Sequence, residues 1–350
     1  MIKVGILGAS GYAANELVRL LLGHKQAKII WLGSQSFAQK PYFLAYQNFF
    51  TCLDLDCIDT QNLEYLCDEI DVLFTATPHN FCAKILTQNI INKVRVIDLS
   101  ADFRLKDKDK YASWYHTPHA NPALLSQAVY GLCELYKDKI QNARLIANPG
   151  CYPTCSILCL APLLQSGLID TKSIIIDAKS GVSGAGRSAK VDSLFCEVNE
   201  NFKAYGITTH RHTPEIEQTA SELANESITL NFTPHLIPIN RGILATIYAQ
   251  LNAQITQNTL EELYQLYHTA YKNKPFIRIL PNHLSAQTRW VEGSNFVDIA
   301  LHVDSRTNRV IIIGAMDNLI KGAAGQAIQN MNILFGLDEQ MGLEQIPIFP

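Results

Sequence analysis

The opening of the chain constrains its fold more than any other segment. Residues 4–7 read as a short buried strand, and residues 12–22 carry a helical apolar face through Leu17, Leu20 and Leu21. Between them stands Gly8-Ala9-Ser10-Gly11-Tyr12-Ala13-Ala14, a glycine turn that hands a strand directly to a helix. The alternation continues. Residues 29–32 read as a second strand, 71–75 as a third that ends before Pro78, 81–91 as its following helix and 94–98 as a fourth strand. Strands spaced by helices in this way predict a parallel sheet with right-handed crossovers, an α/β dinucleotide-binding domain of the Rossmann type.

Glycine permits the tight turn and lets backbone N–H groups approach a pyrophosphate, which then rests on the helix N-terminus. Gly8, Ser10, Gly11, Tyr12 and Ala13 are therefore candidate cofactor contacts, on a G-x-x-G-x-x-A spacing rather than G-x-G-x-x-G. An NAD-specific site usually places Asp or Glu at the end of the second strand to hold the ribose 2′-OH. Here the segment is Gly33-Ser34-Gln35-Ser36, with Lys40 nearby and no acid. Ser34, Ser36 and a lysine suit a 2′-phosphate and favour NADP(H); the alternative is an ordinary polar strand end.

The pattern changes after residue 148. Residues 174–176 form one more buried run, but 242–249, 296–303 and 310–313 mix polar and apolar positions, as strands with one covered face do. That predicts a second, α+β domain with a mixed or antiparallel sheet. The tail over 318–335 is helical in pattern, and Gly322, Ala323, Ala324 and Gly325 allow close packing. The expected organisation is a dinucleotide-binding domain of residues 1–147 and 319–350, with a catalytic and substrate domain of 148–318 inserted before a returning helix. A chain of 350 residues suits two domains of ordinary size.

Composition narrows the function classes. With 47% hydrophobic and 17% charged residues the chain has ample core and is not a disordered one. A net charge of −3 carries no electrostatic footprint for nucleic acid. The dense run 106–110 alternates Lys with Asp and is expected to be a solvated loop. No apolar run approaches the ~18 residues of a membrane span, and no secretory leader is visible, so a cytoplasmic protein is expected. Nine cysteines, an odd count without any C-x-x-C, offer neither a disulfide scheme nor a zinc site, and no metal is expected.

Asn148-Pro149-Gly150-Cys151-Tyr152-Pro153-Thr154 is the most informative segment. Cys151 follows a strand-like pair and a Pro-Gly turn and precedes a helical pattern, so the positive end of the helix dipole favours a thiolate there. Cys155 and Cys159 follow at helical spacing and read as an inward apolar stripe. Cys52, Cys57, Cys67, Cys82, Cys133 and Cys196 are expected as packing residues. A nucleophilic cysteine needs a proton-transfer partner. His210-Arg211-His212-Thr213-Pro214-Glu215 supplies two imidazoles ahead of a helical pattern, with Thr213 as the expected cap of an exposed helix start. His210 is the first choice and His212 the competitor.

These segments, together with 96–104, 180–187, 232–236 and 317–325, resemble N-acetyl-γ-glutamyl-phosphate reductases over residues 3–336. The resemblance implies a glyceraldehyde-3-phosphate dehydrogenase-like substrate and dimerisation domain, a homo-oligomer (dimer or tetramer) and NADPH-dependent reduction of an acyl phosphate to an aldehyde in arginine biosynthesis. In that scheme Cys151 forms a thioester and His210 moves the proton. Asn148, Arg104, His212 and Glu215 contact substrate, and Ser183, Gly184 and Asn318 border the nicotinamide. Two positions depart from the family: Ala13-Ala14 replaces a common Thr-Gly, and Cys133 replaces a usual proline. The rival readings are an aspartate- or aminoadipate-pathway acyl-phosphate reductase and a non-catalytic nucleotide-binding regulator. The His-Arg-His-x-Pro-Glu segment argues against the aspartate enzyme, and a Cys, a His and a glycine loop kept together argue against the regulator.

Overall fold

Val4, Ile6, Val72, Leu73, Phe74, Val96, Ile97 and Ile146 are all fully buried, the pattern of strands covered on both faces. They belong to the first of two sheets in the computed structural model, which describes residues 1–350. This sheet comprises β1 (Ile2–Leu7), β2 (Ala27–Gly33), β3 (Cys57–Ile58), β4 (Val72–Thr75), β5 (Arg95–Asp98), β6 (Ala128–Tyr130) and β7 (Leu145–Ala147). Their order is β3-β2-β1-β4-β5-β7-β6, and every pairing is parallel. Because β2 and β4 flank β1, the winding reverses there and leaves a crevice at the carboxyl ends of the strands, where ligands bind in such sheets.

Helix Tyr12–Leu22 follows β1 and buries Ala14, Leu17, Val18, Leu20 and Leu21. The helix expected over 81–91 is instead two, Cys82–Ile85 and Gln88–Lys93. Thr87 breaks it: its backbone is extended and its hydroxyl accepts from Ile90 N, which starts a new helix. The run 106–110 is a solvated loop only at Lys106 and Asp107, and 108–110 are helical. Asp107 caps helix Lys108–Tyr115 by accepting from Asp109 N and Lys110 N.

The second sheet is mixed. It contains β8 (Ile169–Ser180), β9 (Lys203–Ala204), β10 (Asn231–Leu236), β11 (Ile243–Leu251), β12 (Ile277–Ile279), β13 (Val297–Asp304) and β14 (Arg309–Met316), in the order β12-β13-β14-β11-β8-β10-β9. β11 shows the expected alternation: Ile243, Ala245, Ile247, Ala249 and Leu251 are buried, and the residues between them are half-exposed. Helix Cys151–Ser166 lies on the covered face and is almost entirely buried. Pro162 inside it lacks the N–H that would reach the Leu158 carbonyl. Tyr271 OH donates to Leu158 O and Tyr267 OH to Cys159 O, so no carbonyl is stranded at the proline.

Two compact units result, Met1–Pro149 with Ala323–Glu344, and Gly150–Gly322 with Gln345–Pro350. The expected split of 1–147 with 319–350 and 148–318 differs at its edges. The returning segment joins the first unit at 323 rather than 319, and the last six residues cluster with the second unit. There Ile348 N donates to Glu292 O. All nine cysteines are thiols. Cys52 and Cys196 are exposed, so the expectation that they are packing residues fails for those two.

Candidate active site

In the first unit the crevice is shaped by backbone. Gly8 has φ +82°, and a Cβ there would run into the Ala76 backbone; only glycine closes this turn. Gly8 N and Ala9 N donate to Gly33 O, so these amides hold the turn itself. The helix begins at Tyr12 without any side-chain cap. The first-turn N–H groups of Tyr12, Ala13 and Ala14 therefore have no acceptor within the helix, the arrangement that receives an anion. Tyr42 OH donates to Ala9 O and Tyr46 OH to Ser10 O, bracing the loop from outside. Neither tyrosine was marked by the sequence motif.

Buried polar atoms at two strand ends and on the helix after β1 fit a polar ligand. Ser34 is 5% exposed, yet its Oγ has no partner within the chain, and neither do Asn15 Oδ1 and Thr77 Oγ1. Buried hydroxyls and amides are normally satisfied, so these sites call for an external group. Ser36 is exposed. A cavity of about 350 Å³ beside the end of β1 is lined by Leu7, Thr60, Asn62, Phe81 and Thr87.

Arg104 and Asn148 lie in this unit and are committed to its interior. Arg104, 7% exposed, donates through Nε to Asn148 O and through Nη2 to Leu99 O. Asn148 is fully buried; its Nδ2 donates to Ala323 O and its Oδ1 accepts from Asn330. Both side chains fix the loop that ends β7. Beside them, Asp102 accepts from Asn80 N, Ala83 N and Tyr111 OH, while burial and the Asp102 charge raise the pKa of Asp98.

In the second unit the groups are side chains. Cys151 is the first residue of its helix, preceded by Gly150 as an uncapped N-cap, and it is half-buried. Glu215, 1% exposed, accepts from Gly150 N at 2.8 Å. His210 sits in an aromatic cage, with the rings of Tyr205 and Phe232 at 5.4 Å and Tyr152 at 5.6 Å, all edge-on. His212 lies 4.9 Å away, centroid to centroid. The helix start expected to be exposed is buried from Thr213 to Glu217, and its cap is His212 rather than Thr213.

Electrostatics follow from the cage. Burial, helped by the Arg211 charge, pushes the His210 pKa down to about 4, so the ring is neutral near pH 7. The backbone N–H of His212 donates to His210 Nδ1 at 3.1 Å, which leaves the ring proton on Nε2. Tyr205 OH donates to Tyr152 OH, which donates to His235 O. Burial pushes the Tyr205 phenol up to about 12, and charge on Cys151 acts in the same direction. Tyr205 stands outside every sequence motif; only the pairing of β9 with β10 brings it here.

Ser183 and Asn318, 135 residues apart, meet in this unit: Asn318 Nδ2 donates to Ser183 Oγ, which donates to Asn240 O. Asn318 Oδ1 accepts from Gly242 N, and Gly184 packs beside the pair. Asn318 opens a π-turn, Ile320–Ala324, whose Gly322 packs against Cys151.

A strand-end crevice with a glycine turn in one unit, and a helix-terminal thiol and a caged imidazole in the other, are the features of a nucleotide-dependent dehydrogenase. The sequence matches the semialdehyde dehydrogenase NAD binding domain over residues 3–143 and the semialdehyde dehydrogenase dimerisation domain over 151–318. An aspartate semialdehyde dehydrogenase II from Vibrio cholerae shares the fold, with a TM-score of 0.73, 17% identity and coverage of 96% of this chain and 98% of that one. An N-acetyl-gamma-glutamyl-phosphate reductase from Lachnoclostridium phytofermentans is 57% identical over 350 residues, covering 100% of both chains. One from Campylobacter jejuni is 58% identical over 343 residues, 98% of both. The chain belongs to the N-acetyl-γ-glutamyl-phosphate reductase family.

Proposed function

We propose that this protein reduces N-acetyl-γ-glutamyl phosphate to N-acetylglutamate 5-semialdehyde and phosphate, with NADPH as reductant and a thioester on Cys151. The observation that carries the mechanism is Cys151 as the first residue of a helix whose N-cap is glycine, in the unit that also cages His210. The thiolate attacks the acyl carbon; an S–C bond forms, the C–O bond to phosphate breaks, and phosphate leaves. The reduced nicotinamide supplies the hydride that reduces the thioester carbonyl. His210, neutral and carrying its proton on Nε2, donates a hydrogen bond to the oxygen on which negative charge then develops. Collapse of that thiohemiacetal breaks the S–C bond, releases the aldehyde and regenerates the thiolate. The proton consumed overall ends on phosphate. Accepting a proton at Nε2 would require the other tautomer, in which Nδ1 no longer accepts from His212 N. Donation is therefore the role the tautomer favours. His212 N donates to His210 Nδ1, and Glu215 accepts from Gly150 N at the entry of the Cys151 helix.

The first-turn amides of Tyr12, Ala13 and Ala14 would hold the cofactor pyrophosphate, and Ser34 would face the adenosine ribose. The segment 33–36, without an acid at the strand end, supports NADP(H) over NAD(H). Ser183, Gly184 and Asn318 are assigned to the nicotinamide side. The match to a dimerisation domain supports a homo-oligomer, checked by light scattering. No helix is long and apolar enough to cross a membrane, and a cytoplasmic location suits a catalytic thiol that must stay reduced.

The test is phosphate-dependent reduction of NADP by purified protein given N-acetylglutamate 5-semialdehyde. The aspartate and aminoadipate semialdehydes, and NAD, serve as comparisons. Equal rates with NAD overturn the cofactor assignment, and preference for another aldehyde overturns the substrate.

A further inference from the structure

We propose that the first turn of the Cys151 helix is held in place by two groups that act on its backbone and Cβ rather than on sulfur. These are the Glu215 carboxylate and the bare face of Gly322, both positioning residues. The inference rests on Cys151 being the nucleophile.

Glu215 carries one half of this seat. Its buried carboxylate accepts from Gly150 N at 2.8 Å, the amide immediately before the nucleophile. It comes from the first turn of helix Thr213–Ala224, directly after His210 and His212, so one short segment sets both the imidazoles and the backbone entering the thiol helix. This differs from the substrate contact expected of Glu215.

Gly322 carries the other half. Gly322 N donates to Asp317 O at 3.0 Å, a bond spanning five residues that makes Ile320–Ala324 a π-turn. Asp317 anchors the turn: its Oδ1 accepts from Leu319 N and Ile320 N, and its Oδ2 from Gly293 N. A Cβ built on Gly322 would stand 2.7 Å from Cys151 Cβ and 3.3 Å from Cys151 Cα. Neither of those atoms has a torsion that moves it aside. A side chain at 322 must therefore displace the π-turn or the nucleophile's own backbone. The extra residue of the π-turn decides which position meets Cys151; an ordinary α-turn would shift Lys321 or Ala323 toward the contact, and both carry a Cβ. Misplacing a reacting group by 1 Å costs on the order of 100-fold in rate, so this seat bears on chemistry.

Gly314 supplies an internal control. A Cβ there would press on Cys159 Sγ and lie 3.0 Å from Cys155 Sγ, against the second and third turns of the same helix. The experiment measures kcat, KM, thermal midpoint and the iodoacetamide alkylation rate of Cys151, read by peptide mass, for Gly322→Ala and Gly314→Ala. Gly322→Ala is expected to slow kcat and alkylation by about tenfold or more while KM stays within roughly twofold. Gly314→Ala is expected to lower the midpoint with both rates within roughly twofold. Equal slowing in the two variants at equal midpoint loss overturns the proposal.

Glu215→Gln and Glu215→Ala test the other half and decide alone if Gly322→Ala does not fold. Glutamine keeps an acceptor for Gly150 N and should retain both rates within about fivefold; alanine should lose about tenfold or more at unchanged KM. A KM that rises equally in both would mean that the carboxylate binds substrate, which overturns the positioning role. Alkylation proceeds without substrate or turnover. An active Cys151→Ser enzyme would thus sink the nucleophile reading separately, leaving the seat to be judged on alkylation.

Discussion

The groups that face the crevice of the first unit are mostly main chain: the Gly8 turn, the uncapped amides of Tyr12 to Ala14, and hydroxyls at strand ends. In the second unit they are side chains drawn from distant parts of the chain, Cys151, Tyr205, His210, Glu215 and Phe232, with Gly322 beneath the nucleophile. Main-chain sites need only a local turn and a helix end, so a contiguous motif can encode them. Side-chain sites need several elements docked together, and their tuning depends on what surrounds each group. The lowered pKa of His210 comes from its cage, not from its neighbours in sequence alone.

The contrast can be broken most sharply at Cys151. Cys151→Ser should lower kcat by roughly 10⁴-fold or more in the phosphate-dependent assay, with nucleotide binding by fluorescence titration unchanged. Retained turnover would remove covalent chemistry from the second unit. His210→Asn comes next, with an expected loss of about 10²–10⁴ in kcat. Cofactor KM should hold steady.

Gly8→Ala probes the other unit. A Cβ at φ +82° costs about 1–2 kcal/mol and meets the Ala76 backbone, so cofactor KM should rise about tenfold or more. Alkylation of Cys151 should proceed at the wild-type rate; a slowed thiol would end the division of labour drawn between the units.

Acid should act on the caged imidazole through stability. His210 titrates near 4 when folded and near 6.5 when unfolded, so between these values the unfolded chain holds more protons. The contribution is full above about pH 6.5 and is lost progressively as pH falls toward 4, on the order of 2–4 kcal/mol in total. Urea midpoints across that window should fall less steeply for His210→Asn than for the wild type. An identical slope would mean that the imidazole is not desolvated. The smallest effect is structural. Tyr271→Phe strands the Leu158 carbonyl above Pro162 and should cost about 1–3 kcal/mol by chemical denaturation, with kcat unchanged.

Much of the first unit was legible because its signals are local. The strand expected over 4–7 lies within Ile2–Leu7 and the helix over 12–22 appears where its pattern placed it, since consecutive apolar residues and a glycine turn act over a few positions. The misses are also local: Thr87 caps a new helix inside an otherwise helical pattern, and Asp107 starts a helix within a charge run read as a loop. Polar side chains that bond their own backbone can override periodicity. In the second unit, Cys151 was legible from its Pro-Gly turn and following helix. The burial of the helix start after His212, by contrast, depends on which elements cover it.

What the sequence determined by itself was the alternation that makes a parallel sheet, the glycine turn and the thiol at a helix N-terminus, each fixed by a few adjacent residues. Tertiary structure alone decided that Tyr205 joins His210, that Glu215 holds Gly150 N, that Arg104 and Asn148 turn inward, and that Gly322 meets Cys151. Apart from Tyr205 and His210, five positions apart, those contacts join residues tens to more than a hundred positions apart. Their energies come from burial and hydrogen bonding across docked elements, which no local pattern in the chain specifies.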